Sequence, residues 1–592
     1  MFKTRNLTKR ILLNYAFTFM LVNLADSASM VIDGLIISRN LNSTMLAAAG
    51  LGGTSYQMIL LFCGAFATGL QATCSGAMGS GDSEKTNRYF TSGLVAVSSI
   101  AVILTVFGFI CLDPLCRLFG ADGSDKQLYD GLHEYMRGWF VGIPGLIAFT
   151  VLCPLATLDG GKKTVAFVTL LQSALNICGD YFSVIHWQGD SLRAIYGVGF
   201  SSGAAFDIAA VILLADFFRR RSAFKLDMKL FRLREIKNMM YIGMPRLTKY
   251  VCKLLSPLLV YRTVIDIGGA CAMAVMSVKS SITGFCLVAG SGIAVSVNLL
   301  SQVYFSEKDK KALKEVAVDA AAAVIAICSV IAVLLIAFAP LLSDVFLDRG
   351  TEEYRLCVIM MHCFAISLPL NCLNACVLSY LQGIRRILPT HLQTVSNRLF
   401  FLAVCTAVFG YSFGTVGIFA AIPVSELLVL LTYIAVALLF GRNRNRLDAL
   451  LLIPENFDLN DDKSLAFTVT APEEVTGISE QIQNFCLSHG IDRRRAYFSA
   501  LCVEETAGNV VNHGFKMDNK KHSCDIRVMI EDGGNITLRI RDNCRYFNMK
   551  ERYEVMKSKD EFSGIGIKLV YGIAKDVSYV NLLNTNTLII RV

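Results

Sequence analysis

From about Leu12 to Phe440 long apolar runs alternate with short charged segments, and from Asp458 to Val592 that pattern gives way to short strands and amphipathic helices. At roughly 20 apolar residues per membrane crossing, the first stretch divides into about twelve spans. They begin near Leu12, Met45, Phe90, Gly131, Val165, Ala194, Lys237, Gly268, Leu313, Tyr354, Leu388 and Gly414. The tail predicts a strand over SLAFTVTA, helices over EEVTGISEQIQNFCLS and RRRAYFSALCVEETAGNVVNHGF, a hairpin around DGGN, a short helix, a helix over IGIKLVYGIAK and two closing strands. The fold class that follows is an all-α polytopic membrane protein, in two six-helix halves, joined to a C-terminal α+β sandwich.

The segments between spans alternate in charge. Lys3 to Arg10, Lys85/Arg88, Lys162/Lys163, Arg219 to Arg234, Lys308/Lys310/Lys311, Arg385/Arg386 and Arg442/Arg444/Arg446 all fall on one side of the membrane. By the positive-inside rule that side is cytoplasmic, which places both termini and the tail inside a cell membrane. The N-terminal run carries no convincing cleavage site and reads as a span rather than a signal. A repeat relates the halves: Ser83-Glu84-Lys85 matches Ser306-Glu307-Lys308, and the same offset aligns Gly69 with Gly292 and Ala47-Ala48-Ala49 with Ala270-Cys271-Ala272. Halves with an even number of crossings share orientation, so the expected relation is an axis along the membrane normal, with a pathway between them. The expected divisions are 1–235 and 236–445 for the halves, 446–460 for a linker and 461–592 for the tail.

Composition supports this division. Hydrophobic residues make up 54% and charged residues 17% of the 592, with a mean hydropathy of +0.52, far more apolar surface than one soluble core buries. The net charge of +9 is spread over loops between spans, which argues for topology and against nucleic acid as a partner. Many of the nineteen cysteines, including Cys63, Cys111, Cys153, Cys178 and Cys328, lie inside apolar runs and read as small buried hydrophobes with free thiols.

A carboxylate at bilayer depth costs at least ~2.5 kcal/mol, so acids there are functional candidates. Asp33, Asp180 and Asp207 qualify, and Asp26 is a weaker candidate seven residues before Asp33. Asn176 and Asp180 are one helical turn apart, so an amide oxygen and a carboxylate share a face and can converge on one cation. The repeat offset carries Asp33 and Asp180 onto Ser256 and Ala403, which leaves the second half without that acidic pair. It carries Arg246, Lys249, Lys253, Lys279 and Arg398 instead, with Glu426 as a candidate partner; internal ion pairing is expected, an anionic substrate portion being the alternative.

Through IDGLIISRNLNSTMLAAAG, the GSGD loop, NICGDYF and GVGFSSGAAFD, roughly the first 440 residues resemble the multidrug and toxic compound extrusion (MATE) family. The resemblance implies a secondary antiporter exporting amphipathic, often cationic, organic molecules against inward flow of H+ or Na+, and a prokaryotic origin. It implies ion coupling at Asp33, Asn176 and Asp180. Asp207 stands where many relatives have Thr, and is expected to add charge to the site or alter its ion preference.

In the tail, Glu504-Glu505-Thr-Ala-Gly-Asn509-Val-Val-Asn512-His513-Gly514 puts Glu505 and Asn509 on one helical face. Arg541-Asp542-Asn543-Cys544 follows, then Ser563-Gly564-Ile565-Gly566, glycines that open a helix. With these motifs in order, the tail resembles the GHKL (histidine-kinase-like) ATPases, and most closely the anti-sigma-factor serine kinases. The resemblance implies ATP and Mg2+ as cofactors: Asp542 for the adenine amino group, Gly564 and Gly566 for phosphates, Asn509 for Mg2+ and Glu505 as catalytic base toward a hydroxyl. Cys544 departs from the usual glycine, which puts the close backbone approach at that turn in question.

The leading expectation is an ion-coupled exporter whose tail senses ATP or phosphorylates a cytoplasmic protein, since no Walker A sequence is present. A membrane-anchored signalling kinase with a transporter-like receptor half, and a lipid-linked sugar flippase, are the alternatives.

Overall fold

The computed structural model describes residues 3–592 apart from 120–124, 220–221, 442–445, 455–456, 458–462, 518–521, 532–533, 550–551, 555–564 and 584. The first half consists of α1 (Lys3–Asn40), α2 (Ser43–Gly79), α3 (Ser83–Ile110), the short α4 (Leu112–Leu118), α5 (Lys126–Trp139) continuing into α6 (Ile143–Leu158), α7 (Lys162–His186) and α8 (Ser191–Arg219). The second consists of α9 (Leu233–Cys286), α10 (Val288–Ser306), α11 (Lys310–Phe346), α12 (Glu352–Gly383), and α13 (Ile387–Val395) continuing through a π-helical turn, Ser396–Phe400, into α14 (Phe401–Phe440); α15 (Arg446–Leu450) follows.

Among the described residues, ten helical stretches are long and apolar enough to cross a membrane. The remaining two of the expected twelve come from kinks. α9 turns at Gly269 (φ 57°) and α14 at Gly414 (φ 66°), in the left-handed region that suits glycine. Each is therefore two limbs. The first limb of α9 is less apolar than the other spans because it carries Arg246, Lys249, Lys253, Arg262 and Asp266. Apolar side chains such as Val102, Ile103, Phe107, Val330, Val333 and Phe338 face outward, as lipid requires.

The halves meet through glycines. A Cβ on Gly69 of α2 would fall on the Met239 carbonyl of α9, and one on Gly243 of α9 on the Ala65 carbonyl. Gly292 of α10 packs in the same way on the backbone of α1 at Ala16 and Met20, beside a 2.9 Å hydrogen bond from Asn23 Nδ2 to Ser291 Oγ. The loops that follow α2 and α10 are also equivalent, at a register four residues from the sequence alignment. Gly81 (φ 74°) precedes N-cap Asp82 of α3, and Lys308 (φ 52°) precedes N-cap Asp309 of α11. Gly79-Ser80-Gly81-Asp82 thus corresponds to Ser306-Glu307-Lys308-Asp309, because turn geometry, rather than the Ser-Glu-Lys tripeptide, sets the match.

The tail folds as β1 (Ser464–Val469), α16 (Glu474–Ser488), α17 (Arg493–Asn512), β2 (Cys524–Ile530), β3 (Ile536–Asp542), α18 (Ile565–Ile573), β4 (Asp576–Leu582) and β5 (Thr585–Arg591). Its sheet is antiparallel, in the order β1-β2-β3-β5-β4. Strand alternation sorts the two faces. Ile526, Val528, Leu538, Ile540 and Ile590 form a core with Ile482, Val503, Ala507 and Val570 of the helices. The opposite face presents Arg527, Arg539, Ile589 and Ser578 as one cross-strand row.

Candidate functional site

α1 and α7 bring Asp33, Asn176 and Asp180 together. Asn176 Nδ2 donates to Asp33 Oδ2 across 2.8 Å, and the Asp33 and Asp180 carboxyl groups lie in hydrogen-bonding reach of each other. Asp180 and Asn176 are buried. Ser201 of α8, which sequence reasoning missed, donates its hydroxyl to Asp180 Oδ1. It reaches because Gly179 lets α7 and α8 approach: a Cβ there would stand 2.5 Å from Ser201 Cβ. The remaining oxygens, Asp33 Oδ1 and Asp180 Oδ2, are buried without a donor. Two carboxylates in contact inside a bilayer need a proton or a metal cation between them. Asp207 does not join this pair; its carboxylate packs on the Gly145 backbone of α6. Asp26 lies near Tyr56 and Cys153.

The second half departs from the expected internal pairing. Glu426 is taken by three amides, from Asn371 (2.5 Å), Asn374 (2.8 Å) and Asn397 (2.9 Å). Lys279 stands over the Phe364 ring at 5.8 Å. Arg246, Lys249, Lys253 and Arg398 form no ion pair among the described residues; Arg246 donates only to the Thr68 hydroxyl of α2, at 3.2 Å. The short polar amides of α12 and the π turn take the hydrogen-bonding positions on Glu426, whose charge still acts on Lys279.

In the tail, Glu505 and Asn509 lie one turn apart on α17. The first turn of α18 closes over Glu505: a Cβ on Gly566 would collide with its carboxylate. Gly564 lies outside the described residues. Asp542, at the end of β3, is buried, and its Oδ1 accepts from Asn586 Nδ2 of β5 (2.8 Å) and from the Cys544 amide (2.9 Å). Burial pushes the Asp542 carboxyl above its usual range, against the opposing pull of Asn586 and the Cys544 amide. The turn at Cys544 keeps its backbone hydrogen bond to Asp542, and its Sγ packs beside Gly514. Asn586, unmarked by any motif, is the partner that orients Asp542.

The arginine row of the sheet rests on the two equivalent loops of the membrane part. Arg541 pairs with the Glu307 carboxylate, and Arg539 donates to the Glu307 carbonyl at 3.0 Å. Arg527 donates to the Lys308 carbonyl (3.2 Å) and stands 3.6 Å from Asp309. Burial alone would raise the Asp309 carboxyl, yet Arg527, the Ala312 amide and Arg541 hold it below the usual carboxylate range. On the loop of the first half, Arg591 donates to the Ser80 carbonyl (3.4 Å), and a Cβ on Gly81 would come within 3.2 Å of Ser578 and Ile589. The connection is anchored as well: Asp448 of α15 pairs with Lys310 (3.0 Å) and Lys314 (2.5 Å) of α11.

The MatE family model matches residues 19–182 and 245–414, more than half of the chain. The chain belongs to the MatE family. Residues 468–592 match the histidine kinase-like ATPase domain, so this family member is a multi-pass membrane protein with such a domain at its C-terminal end. A probable multidrug resistance protein NorM of Halalkalibacterium halodurans is 25% identical over 160 residues, 26% of this chain and 34% of that protein. An FAD transporter of Shewanella oneidensis is 25% identical over 112 residues, 19% of this chain and 24% of that protein. The matched stretch thus spans about a third or less of each of these relatives. A solved outward-facing multidrug resistance MATE transporter matches with a TM-score of 0.66 at 16% identity, covering 72% of this chain and 94% of that one, a likeness of fold.

Proposed function

We propose that this protein is a secondary antiporter that exports small organic molecules in exchange for H+ or Na+, regulated by an ATP-binding domain on its cytoplasmic side. The observation that carries the reading is the Asp33–Asp180 pair, buried beside Asn176 and Ser201 with two carboxylate oxygens that have no donor. A proton or Na+ relieves the repulsion of the pair, and its departure restores it. Loading and unloading therefore change how α1 packs against α7 and α8. Relatives named for multidrug resistance and for FAD transport support a small organic cargo.

The tail fits an adenine nucleotide with Mg2+. Asp542 would accept from the adenine amino group and the first-turn amides of α18, at Gly566, would hold phosphate. Asn509 and Glu505 would face the metal and the reacting oxygen, and Mg2+ would supply charge neutralisation at the phosphates. Asp542 and Arg541 are adjacent on β3 and point to opposite faces of the sheet, so the nucleotide face and the docking face share a strand. Alternating access requires the halves to part at one end and then the other. A domain resting on loops of both halves resists parting at its own end.

Efflux from proteoliposomes under separately imposed proton and sodium gradients tests the proposal. One of the two should drive it, with loss in Asp33→Asn; efflux indifferent to both gradients would end the antiporter reading.

A further inference from the structure

Arg246, Lys249 and Lys253 follow at three- and four-residue steps, which puts them on one face of the first limb of α9. Lys249 is 16 residues from the start of that helix, roughly 24 Å along its axis and so near mid-bilayer. The face is turned toward the other half and toward the π turn: Arg246 reaches Thr68 and flanks Gly64 of α2, and the charges of Arg246, Lys253 and Arg398 all act on Lys249. Arg398 Nε is buried without an acceptor. Lys249 and Lys253 are exposed on that face.

Four cations in one place repel one another and each costs free energy at this depth unless an anion compensates it. The protein supplies none within ion-pair distance among the described residues. Glu426 is spent on three asparagines, and the acid on the facing side of the cleft, Asp26, acts on Tyr56, a residue that Tyr250 of α9 also reaches. One carboxylate against four cations leaves the cleft strongly positive. The guanidinium forks of Arg246 and Arg398 suit oxyanions with paired oxygens, and the two lysines add point charges that tolerate varied geometry.

We infer that the cleft between the halves, at Arg246, Lys249, Lys253 and Arg398, binds the transported molecule through an acidic group, so that the cargo is a soluble organic anion bearing phosphate or carboxylate. This deepens the exporter reading and rests on it. The chemistry also explains why the charged limb is retained in a span: the cations are compensated only when cargo is present, and the empty cleft favours loading.

Flavin mononucleotide and riboflavin share a fluorescent ring and differ by one phosphate, which makes them a matched pair of probes. With the full chain in neutral detergent, quenching by flavin mononucleotide should saturate, weaken with salt, and exceed riboflavin affinity by about tenfold or more. Lys249→Gln/Lys253→Gln should remove that difference, Lys253→Arg should keep it, and Lys229→Gln, a charge change outside the cluster and the tail, should leave it unchanged. Equal affinity for both flavins, or an effect of Lys229→Gln as large as that of the lysine pair, would overturn the inference. So would loss of flavin mononucleotide binding in phosphatidylglycerol nanodiscs but not in phosphatidylcholine ones, which would reassign the cluster to a lipid headgroup. The binding assay needs no gradient: a chain that binds through the cluster but never transports would contradict the antiporter reading alone, and one that exports cations unaffected by the lysine pair would contradict the site alone.

Discussion

The Arg541 guanidinium on β3 of the C-terminal sheet grips the Glu307 carboxylate in the loop between α10 and α11. Glu307 is 2% exposed and Arg539 approaches the same residue, so this is a desolvated contact. Removing one partner of such a contact leaves a buried charge unpaired, at about 3–5 kcal/mol. Glu307→Gln should therefore loosen the domain from the membrane part while each part stays folded. Hydrogen exchange at Ser80–Asp82 and Ser306–Asp309 should rise together; unchanged protection would mean that the sheet does not hold both loops.

Asp33→Asn and Asp180→Asn should each abolish gradient-driven efflux and leave thermal unfolding close to wild type, because the amide cannot exchange the charge that must be neutralised in each cycle. Ser201→Ala should weaken coupling without abolishing it. Asp207→Asn should be milder than either, since its carboxylate packs on Gly145 away from the pair. Normal efflux in both mutants of the pair would remove the ion-site assignment.

Part of this site was legible in the sequence and part was not. Asn176 and Asp180 announce themselves by turn spacing and by the cost of acids in lipid. Ser201 does not, because its role depends on Gly179 letting α8 come close, a contact between helices that no local pattern encodes. The docking face was hidden for another reason. Arg539 and Arg541 alternate along β3 and Arg527 lies across from Arg539 on β2, a pattern any solvated sheet face shows, and only the cross-strand register and the loops beneath reveal them as a contact. Glu426 acts on Lys279, as expected, but Asn371, Asn374 and Asn397, inconspicuous in sequence, take its oxygens, and Arg246, Lys249, Lys253 and Arg398 are left without an ion pair among the described residues. The glycines of the repeat, in contrast, marked real close approaches at Gly69 and Gly292.

Gly69→Val would drive a side chain into the Met239 carbonyl, and overpacking of this kind costs about 1–3 kcal/mol. It should lower the unfolding temperature and hold α2 and α9 apart. Hydrogen exchange along Met239–Gly243 should then rise above that of the parent; unchanged protection would show that the two helices do not close there.

The full chain should bind Mg2+-ATP. Asp542→Asn and Gly566→Ala should weaken binding about tenfold or more, Asn509→Ala should weaken it less, and Glu505→Ala should spare affinity and remove any phosphotransfer. The Asp542 carboxyl is raised by burial, so the folded domain gains its proton at a higher pH than the unfolded chain. The acceptor is lost as pH falls through that raised value, while the contribution of this group to folding grows over the same window. ATP affinity measured by calorimetry should therefore fall on acidification in wild type and be flat in Asp542→Asn. A pH-independent wild type would exclude Asp542 as the acceptor.

The measurement that bears most directly on the whole account is efflux from proteoliposomes with the tail facing a compartment of chosen content, under an imposed proton or sodium gradient, with and without Mg2+-ATP. Efflux should require the gradient, change in rate with ATP, and lose that dependence in Glu307→Gln. Efflux driven by ATP in the absence of any gradient would contradict it.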